Sequence, residues 1–227
     1  MKRPRLTRTT VLEGTRFLKK KDPRLARWIE RVGPVTLRQE RHQFGALCRS
    51  IISQQLGSGA ANSIHRRFRA LFPSKTRLDP AEVRAMQRSR MLRCGLSRSK
   101  VDYLKGLARE FHDGALARAR LGSHTDSEGM ETLTQIRGIG PWTVEMFLIF
   151  SLGRTDVFSV RDLALRAAVE RVVGKRLTHP EIEKVASRWS PHRSLACLYL
   201  WKIAHWKEPS TTSTQRSTQT KRKKSLR

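Results

Sequence analysis

Residues 133–146, LTQIRGIGPWTVEM, place two glycines and a proline between two segments with the apolar periodicity of helices. Gly138 and Gly140 permit a positive φ or a close approach by another backbone, and Pro141 suits the first position of a helix. The pattern therefore predicts two helices joined by a tight hairpin. The apolar residues expected on a common buried side are Ile136, Ile139, Val144 and Phe147.

Such a hairpin points backbone N–H groups outward at a helix N-terminus, which is a favourable site for an anion. The 47 lysines and arginines against 19 acidic residues give a net charge of +28, which favours a polyanionic partner. Nucleic acid fits better than a membrane, because the chain has no run of eighteen apolar residues. The alternative is a helix corner without a ligand, and Asp162 downstream, at another predicted helix start, weighs against it.

Residues 133–146, followed by DVFSVRD (156–162), resemble the helix-hairpin-helix and Gly/Pro-Asp motif of base-excision DNA glycosylases. The similarity covers roughly residues 41 to 205 and lies closest to the 3-methyladenine-DNA glycosylase II branch of that superfamily. Many relatives have Pro-Val-Asp-Asp where this chain has Ser-Val-Arg-Asp at 159–162. Asp162 itself matches the catalytic aspartate of the family.

The resemblance implies an all-α fold of two helical lobes, with the active site in the cleft between them; no segment has a convincing strand pattern. We predict a basic, mobile arm over residues 1–21 and a two-lobed glycosylase domain over 22–208, with its hairpin at 133–146. Residues 209–227 lack apolar periodicity and predict a disordered basic tail. Its Lys221–Lys224 run would bind DNA electrostatically.

Asp162 is the predicted catalytic residue. Cleavage of an N-glycosidic bond leaves positive charge on the sugar, which an ionised carboxylate beside C1′ stabilises while it orients or deprotonates water. The alternative from position alone is an aspartate that only caps a helix. Asp156, by contrast, is predicted to be a structural cap or loop anchor.

Trp142 occupies the position at which strand-nicking members of the superfamily have a Schiff-base lysine, so the resemblance implies a monofunctional enzyme. Its π face would stack on a cationic alkylated purine, although packing between the helices is an alternative role. The further candidates for the base pocket are Met146, Phe158, Tyr199 and Trp201. The alternative for these four is a place in the core, where aromatic and sulfur side chains at helical spacing usually lie.

The turn at Ser53-Gln-Gln-Leu56 resembles the family element that enters the minor groove and fills the gap left by an extruded base. Gln55 matches the wedge position, with Leu56 as the second candidate; the alternative is a helix C-terminus closed by glutamine side chains. The expected phosphate contacts are Gly138, Gly140, Thr143, Arg98 and Lys100. For Arg98 and Lys100 a solvated basic face is an equal alternative.

No cofactor is expected to be required. The three scattered cysteines, Cys48, Cys94 and Cys197, cannot build the four-cysteine iron–sulfur cluster of some relatives and fit reduced core thiols. Family members hold a monovalent cation through hairpin carbonyls. Here the matching residues for Na⁺ or K⁺ are Thr134, Ile136 and Ile139.

The favoured function is excision of alkylated purines, such as 3-methyladenine and 7-methylguanine, from double-stranded DNA by base flipping. The alternatives are a non-enzymatic helix-hairpin-helix protein that binds damaged DNA, and a glycosylase for uracil or a deaminated purine. We expect an intracellular, DNA-associated monomer without a membrane partner, located with the nucleoid or, in a eukaryote, in the nucleus.

Overall fold

A computed structural model describes residues 4–36, 39, 40, 42–74, 77–117, 119 and 121–207. Over these residues the secondary structure is helical, apart from an isolated bridge between Arg5 and Arg154. None of the described helices is long and apolar enough to cross a bilayer. The predicted tail at 209–227 lies outside the described residues. The helices are α1 (Arg8–Lys21), α2 (Pro23–Val32), α3 (Gln43–Ser53), α4 (Ser58–Arg69), α5 (Pro80–Ala85), α6 (Arg88–Arg93), α7 (Arg98–His112), α8 (Asp126–Thr134), α9 (Pro141–Phe150), α10 (Leu163–Val173), α11 (His179–Ser187) and α12 (Arg193–Ala204).

The helices form two lobes, as predicted. In the first lobe, α3 packs on α4, α7 and α9, while α7 also packs on α5 and α6, and α8 on α9. In the second lobe, α10 packs on α2, α11 and α12, and α1 packs on α2 and α12. Helices α1 and α2 thus belong to the second lobe, α3 to α9 form the first lobe, and α10 to α12 complete the second. The links at 33–42 and 151–162 connect the two.

The prediction of a mobile arm over residues 1–21 is wrong for residues 8–21, which form α1. Thr7 begins this helix with a capping box shared with Thr10. Leu18 is fully buried, and Gly14 lies so close to Leu195 that a Cβ would stand 2.7 Å from the leucine Cδ2. Because α1 packs on α2 and α12, it is an integral part of the second lobe.

The three cysteines are free and buried, which confirms that they are core thiols. Ile139, Val144 and Phe147 are buried as the hairpin pattern predicted, and Ile136 is half-buried. The hairpin is therefore anchored in the core of the first lobe by its apolar side.

Asp22, fully buried, joins three elements of the second lobe. Its carboxylate accepts the N–H groups of Arg24 and Leu25 at the start of α2 and the Trp189 indole N–H at 3.3 Å. We expect Asp22→Ala to lower the free energy of unfolding by about 2–3 kcal/mol, since it removes a cap and leaves a buried N–H unpaired. Asp79→Ala, at the exposed cap of α5, should cost only about 1 kcal/mol. Equal losses in urea unfolding would contradict this assignment.

Candidate functional site

The two hairpin glycines are required for different reasons. Gly138 has φ +91°, and a Cβ there would stand 2.2 Å from Cγ of Tyr103 on α7, so the fold itself excludes a side chain. Gly140 has φ −97°, and a Cβ added there would have no atom within 4 Å. None of the described residues therefore requires glycine at position 140.

Gly140 is also the N-cap residue of α9, and no side chain caps that helix. Pro141 follows at the first helical position, as predicted, and has no N–H of its own. The Thr143 and Val144 N–H groups donate to the Gly140 carbonyl, at 2.9 and 3.2 Å. The Trp142 N–H is therefore the first-turn donor of α9 that remains for an external anion.

Asp162 is the N-cap residue of α10, which begins at Leu163. Its Oδ1 accepts the Leu165 N–H at 2.9 Å, and its Oδ2 accepts the Trp142 indole N–H at 2.9 Å. Both carboxylate oxygens are thus held by N–H donors, one from each lobe, so the side chain has a fixed orientation. The two predicted roles of Asp162, helix cap and cleft carboxylate, are compatible.

A second carboxylate lies buried behind Asp162. The Ser159 hydroxyl, itself fully buried, donates a hydrogen bond to Glu145 Oε2. Burial raises the pKa of Glu145, against the effects of the Ser159 hydrogen bond and of Arg161, and the Asp162 charge raises it further. This contact ties α9 to the segment that leads into Asp162. This contact was not predicted from the sequence, although Ser159 at the family's proline position indicated that the segment is held differently.

Asp162 opens into a cleft of about 630 Å³ between the lobes, a size typical of small-molecule sites. Of the five residues expected in the base pocket, Trp142, Met146 and Trp201 line it. Trp201 packs on Phe150 with ring centroids 5.3 Å apart. These two rings form an aromatic wall. The remaining lining residues are Thr36, Gln39, Glu40, Ala46, Arg49, Ser50 and Ser53.

The expectation that Tyr199 and Phe158 line this cleft is wrong. The Tyr199 ring is buried and its hydroxyl bonds the Thr15 hydroxyl of α1 at 2.9 Å, on the other side of the second lobe. Phe158 packs on Trp189, with ring centroids 6.1 Å apart. Tyr199 is a core residue and Phe158 packs half-buried against the core. Their packing partners come from α1 and from the turn after α11, which the local sequence around them does not reveal.

The sequence model of the HhH-GPD superfamily of base excision DNA repair proteins matches residues 48–192, which include the hairpin and Asp162. The chain belongs to this superfamily. The family resemblance and the two-lobed helical fold predicted from the sequence are confirmed.

Similar proteins cover most of the chain. DNA-3-methyladenine glycosylase 1 of Schizosaccharomyces pombe is 36% identical over 80% of this chain and 81% of its own length. The structure of S. pombe 3-methyladenine DNA glycosylase in complex with abasic DNA superposes with a TM-score of 0.78 at 34% identity, over 84% of this chain and 95% of that one. A DNA-3-methyladenine glycosidase from Bacillus halodurans gives a TM-score of 0.70 at 32% identity, over 85% and 89% of the two chains.

The turn at residues 53–56 has the backbone expected of a projecting element. Gln55 has φ +56°, the described chain's only positive φ outside glycine, and its side chain is exposed. Leu56 is 38% exposed beside it. The wedge role in this HhH-GPD protein remains a prediction, but the strained backbone aims Gln55 away from α3.

Gln54, expected only to close the C-terminus of a helix, links this turn to the hairpin. Its Nε2 donates to the Gly138 carbonyl at 2.8 Å and to the Thr143 hydroxyl at 2.9 Å. Lys100 in turn donates from Nζ to the carbonyls of Ile52 and Gln54, both at 2.8 Å. The turn and the hairpin therefore form one hydrogen-bonded unit.

These contacts correct two of the expected phosphate ligands. Lys100 is half-buried against the end of α3, and burial lowers its pKa; it satisfies helix carbonyls instead of facing DNA. Thr143 is 1% exposed, so its hydroxyl cannot reach a phosphate. Arg98 is exposed in the first turn of α7 and stays a candidate.

The monovalent cation expected at the carbonyls of Thr134, Ile136 and Ile139 remains a prediction. The Ile136 carbonyl accepts the Ile139 N–H at 2.9 Å. A carbonyl oxygen has a second lone pair, so this bond is compatible with a cation.

We expect Trp142→Phe to slow base release about tenfold, because it keeps an aromatic face but removes an N–H donor to a charged group. The measurement is single-turnover release from methylated duplex DNA. Trp201→Phe is the matched control, since it alters the opposite wall without touching Asp162. A larger loss for Trp201→Phe than for Trp142→Phe would show that the ring matters and the hydrogen bond does not.

Gly140→Ala tests the open hairpin position. The added methyl group meets no protein atom and φ −97° suits alanine, so the free energy of unfolding should stay unchanged. Affinity for an abasic duplex should fall about tenfold, because the methyl group would crowd a phosphate bound at the first turn of α9. Fluorescence anisotropy and urea unfolding measure the two effects. Unchanged affinity would remove position 140 from the DNA interface.

Proposed function

We propose that this protein is a monofunctional DNA glycosylase of base excision repair that removes alkylated purines, such as 3-methyladenine and 7-methylguanine, from double-stranded DNA. The observation that carries the proposal is Asp162, held by two N–H donors at the mouth of a cleft with aromatic walls. The names of the relatives, 3-methyladenine glycosylases among them, support the same substrate class.

In the proposed reaction the bond between C1′ and the base nitrogen breaks and its electron pair leaves with the base. A base that carries a positive charge departs as a neutral molecule, so the protein need not protonate it. The deoxyribose becomes cationic and the Asp162 carboxylate stabilises it. Water then adds to C1′ and loses its proton to Asp162 or solvent, which leaves an abasic site.

The cleft is proposed to receive the extruded nucleotide. The Trp142 ring and the wall formed by Phe150 and Trp201 offer π faces to a cationic purine, and the volume suits one base. The hairpin N–H groups would hold a backbone phosphate while Gln55 or Leu56 fills the vacated stack. Arg98 would add a further phosphate contact.

Cleavage without strand nicking is supported by the residue types in the cleft. Tryptophan stands at the position of the Schiff-base lysine, and the described residues that line the cleft include no lysine. A Schiff base to the sugar therefore has no amine available there.

The test is release of free bases from methylated duplex DNA, with strand nicking scored separately. Release of 3-methyladenine, with nicks only after alkali, is the expected result. Tight binding of the same duplex without release of any base would favour the alternative of a non-enzymatic damage-binding protein. Release of uracil or hypoxanthine but not of methylated purines would move the assignment to another lesion.

A further inference from the structure

Glu40 is a carboxylate in the wall of the cleft that the proposed chemistry leaves without a role. It lies in the link between α2 and α3 and lines the cleft together with Trp142 and Asp162. Its backbone is fixed to the end of α9. The Glu40 N–H donates to the Phe150 carbonyl at 3.0 Å, and its carbonyl accepts the Ser151 hydroxyl at 2.9 Å. A carboxylate anchored on both sides of its peptide can serve as a rigid recognition group.

The side chain of Glu40 is half-buried, and one oxygen, Oε1, accepts the His42 N–H at 3.2 Å. The described ion pairs do not include Glu40. A carboxylate has about four acceptor positions, so a single backbone contact leaves capacity for a ligand.

The cleft has an unusual charge for this protein. The chain has a net charge of +28, yet among the described residues two carboxylates and one guanidinium line the cleft. That guanidinium, on Arg49, is exposed and donates to the Asn62 side-chain oxygen of α4 at 3.0 Å. An acidic wall is unfavourable for DNA phosphates, so it suits a part of the ligand that carries positive charge or N–H donors.

We propose that Glu40 accepts hydrogen bonds from the N–H groups of the extruded base and thereby selects positively charged purines over neutral ones. This inference rests on the proposed glycosylase function. The amino group of adenine, and the ring N–H and amino groups of guanine, are the donors that a carboxylate takes, and a charge on the ring strengthens each bond. The aromatic faces bind any purine, whereas the charge of Glu40 distinguishes the alkylated ones.

Glu40→Gln tests this directly, because glutamine keeps the size, and an oxygen for the His42 N–H, but removes the charge. Dissociation constants are measured for three duplexes that differ at one nucleotide: 2′-fluoro-7-methylguanosine, which is cationic, 2′-fluoroguanosine, which is neutral, and an abasic analogue. The fluorine blocks cleavage, so binding is separated from chemistry. Glu183→Gln, an exposed carboxylate of α11, is the matched control.

The expected result is an affinity for the cationic duplex that falls about tenfold in Glu40→Gln, the effect of weakening one charge-assisted hydrogen bond. The affinity for the neutral duplex should fall less, because its N–H donors belong to an uncharged ring. The affinity for the abasic duplex should stay unchanged, as should all three affinities in Glu183→Gln. Equal losses on all three duplexes, or no loss on any, would overturn the role of Glu40. The proposed function fails separately, if wild-type protein releases no base from methylated DNA.

Discussion

Asp162→Asn should release methylated purines about 100- to 1,000-fold more slowly than the wild type, the range found when one preorganised electrostatic group is removed from an active site. The substitution keeps the shape of the side chain but removes the charge that stabilises the sugar cation. Single-turnover release of 3-methyladenine from methylated duplex DNA measures the effect. Affinity for the intact methylated duplex should remain at the wild-type level, since the DNA contacts lie elsewhere.

The structure also indicates what asparagine does to the fold. Its single oxygen can accept either the Leu165 N–H or the Trp142 indole N–H, but not both, so a loss of stability of about 1 kcal/mol is expected. Asp79→Asn is the matched control, because Asp79 caps α5 through the Ala81 N–H and lies outside the cleft. If both variants lost activity to the same degree, or Asp162→Asn retained full activity, the carboxylate would be only a cap.

The hairpin and the helix cap at Asp162 could be predicted because the residues that specify them are close together in the sequence. Gly-x-Gly-Pro specifies a turn and a helix start within four residues, and an aspartate before an apolar-periodic segment is a cap wherever the segment packs. The same reasoning located the start of α9 at Pro141. Each of these features depends on residues a few positions apart, so the sequence contains the whole of the physical cause.

The errors arise where a partner is distant in sequence. Residues 8–21 are rich in charged side chains, which conceals their place in the fold. The burial of Leu18 and the close approach of Gly14 to Leu195 are explained only by the packing of α1 on α12. Tyr199 is in the core because its hydroxyl bonds that of Thr15, 184 residues away. The prediction that Lys100 contacts DNA was wrong for the same reason. Its acceptors, the carbonyls of Ile52 and Gln54, lie at the end of another helix.

The acidic groups around the cleft were also missed because their partners are distant in sequence. Glu145 lies within the predicted hairpin segment, yet its role depends on Ser159, fourteen residues later. Glu40 becomes part of the cleft only because the end of α9 binds its backbone on both sides. Charge counts along the chain could not have found an acidic wall in so basic a protein, because the wall is assembled from segments more than a hundred residues apart.

Gly138→Ala should lower the free energy of unfolding by about 2–4 kcal/mol, since alanine at φ +91° is strained and its methyl group would overlap the Tyr103 ring. Urea unfolding measures the loss. To relieve the overlap the hairpin must move away from α7, which withdraws the Gly138 carbonyl from Gln54. Base release should therefore fall as well, because the turn and the hairpin lose their shared hydrogen bond.

Gly140→Ala is the control for this substitution, since it adds the same methyl group two residues away without a clash. The two variants should separate the two functions of the hairpin, with stability lost at position 138 and DNA affinity lost at position 140. If Gly138→Ala had the stability of the wild type, the Tyr103 ring of α7 would not pack against the hairpin at Gly138. A second substitution, Tyr103→Ala, should restore part of the stability lost in Gly138→Ala but not all of it, because the strained φ remains when the ring is gone.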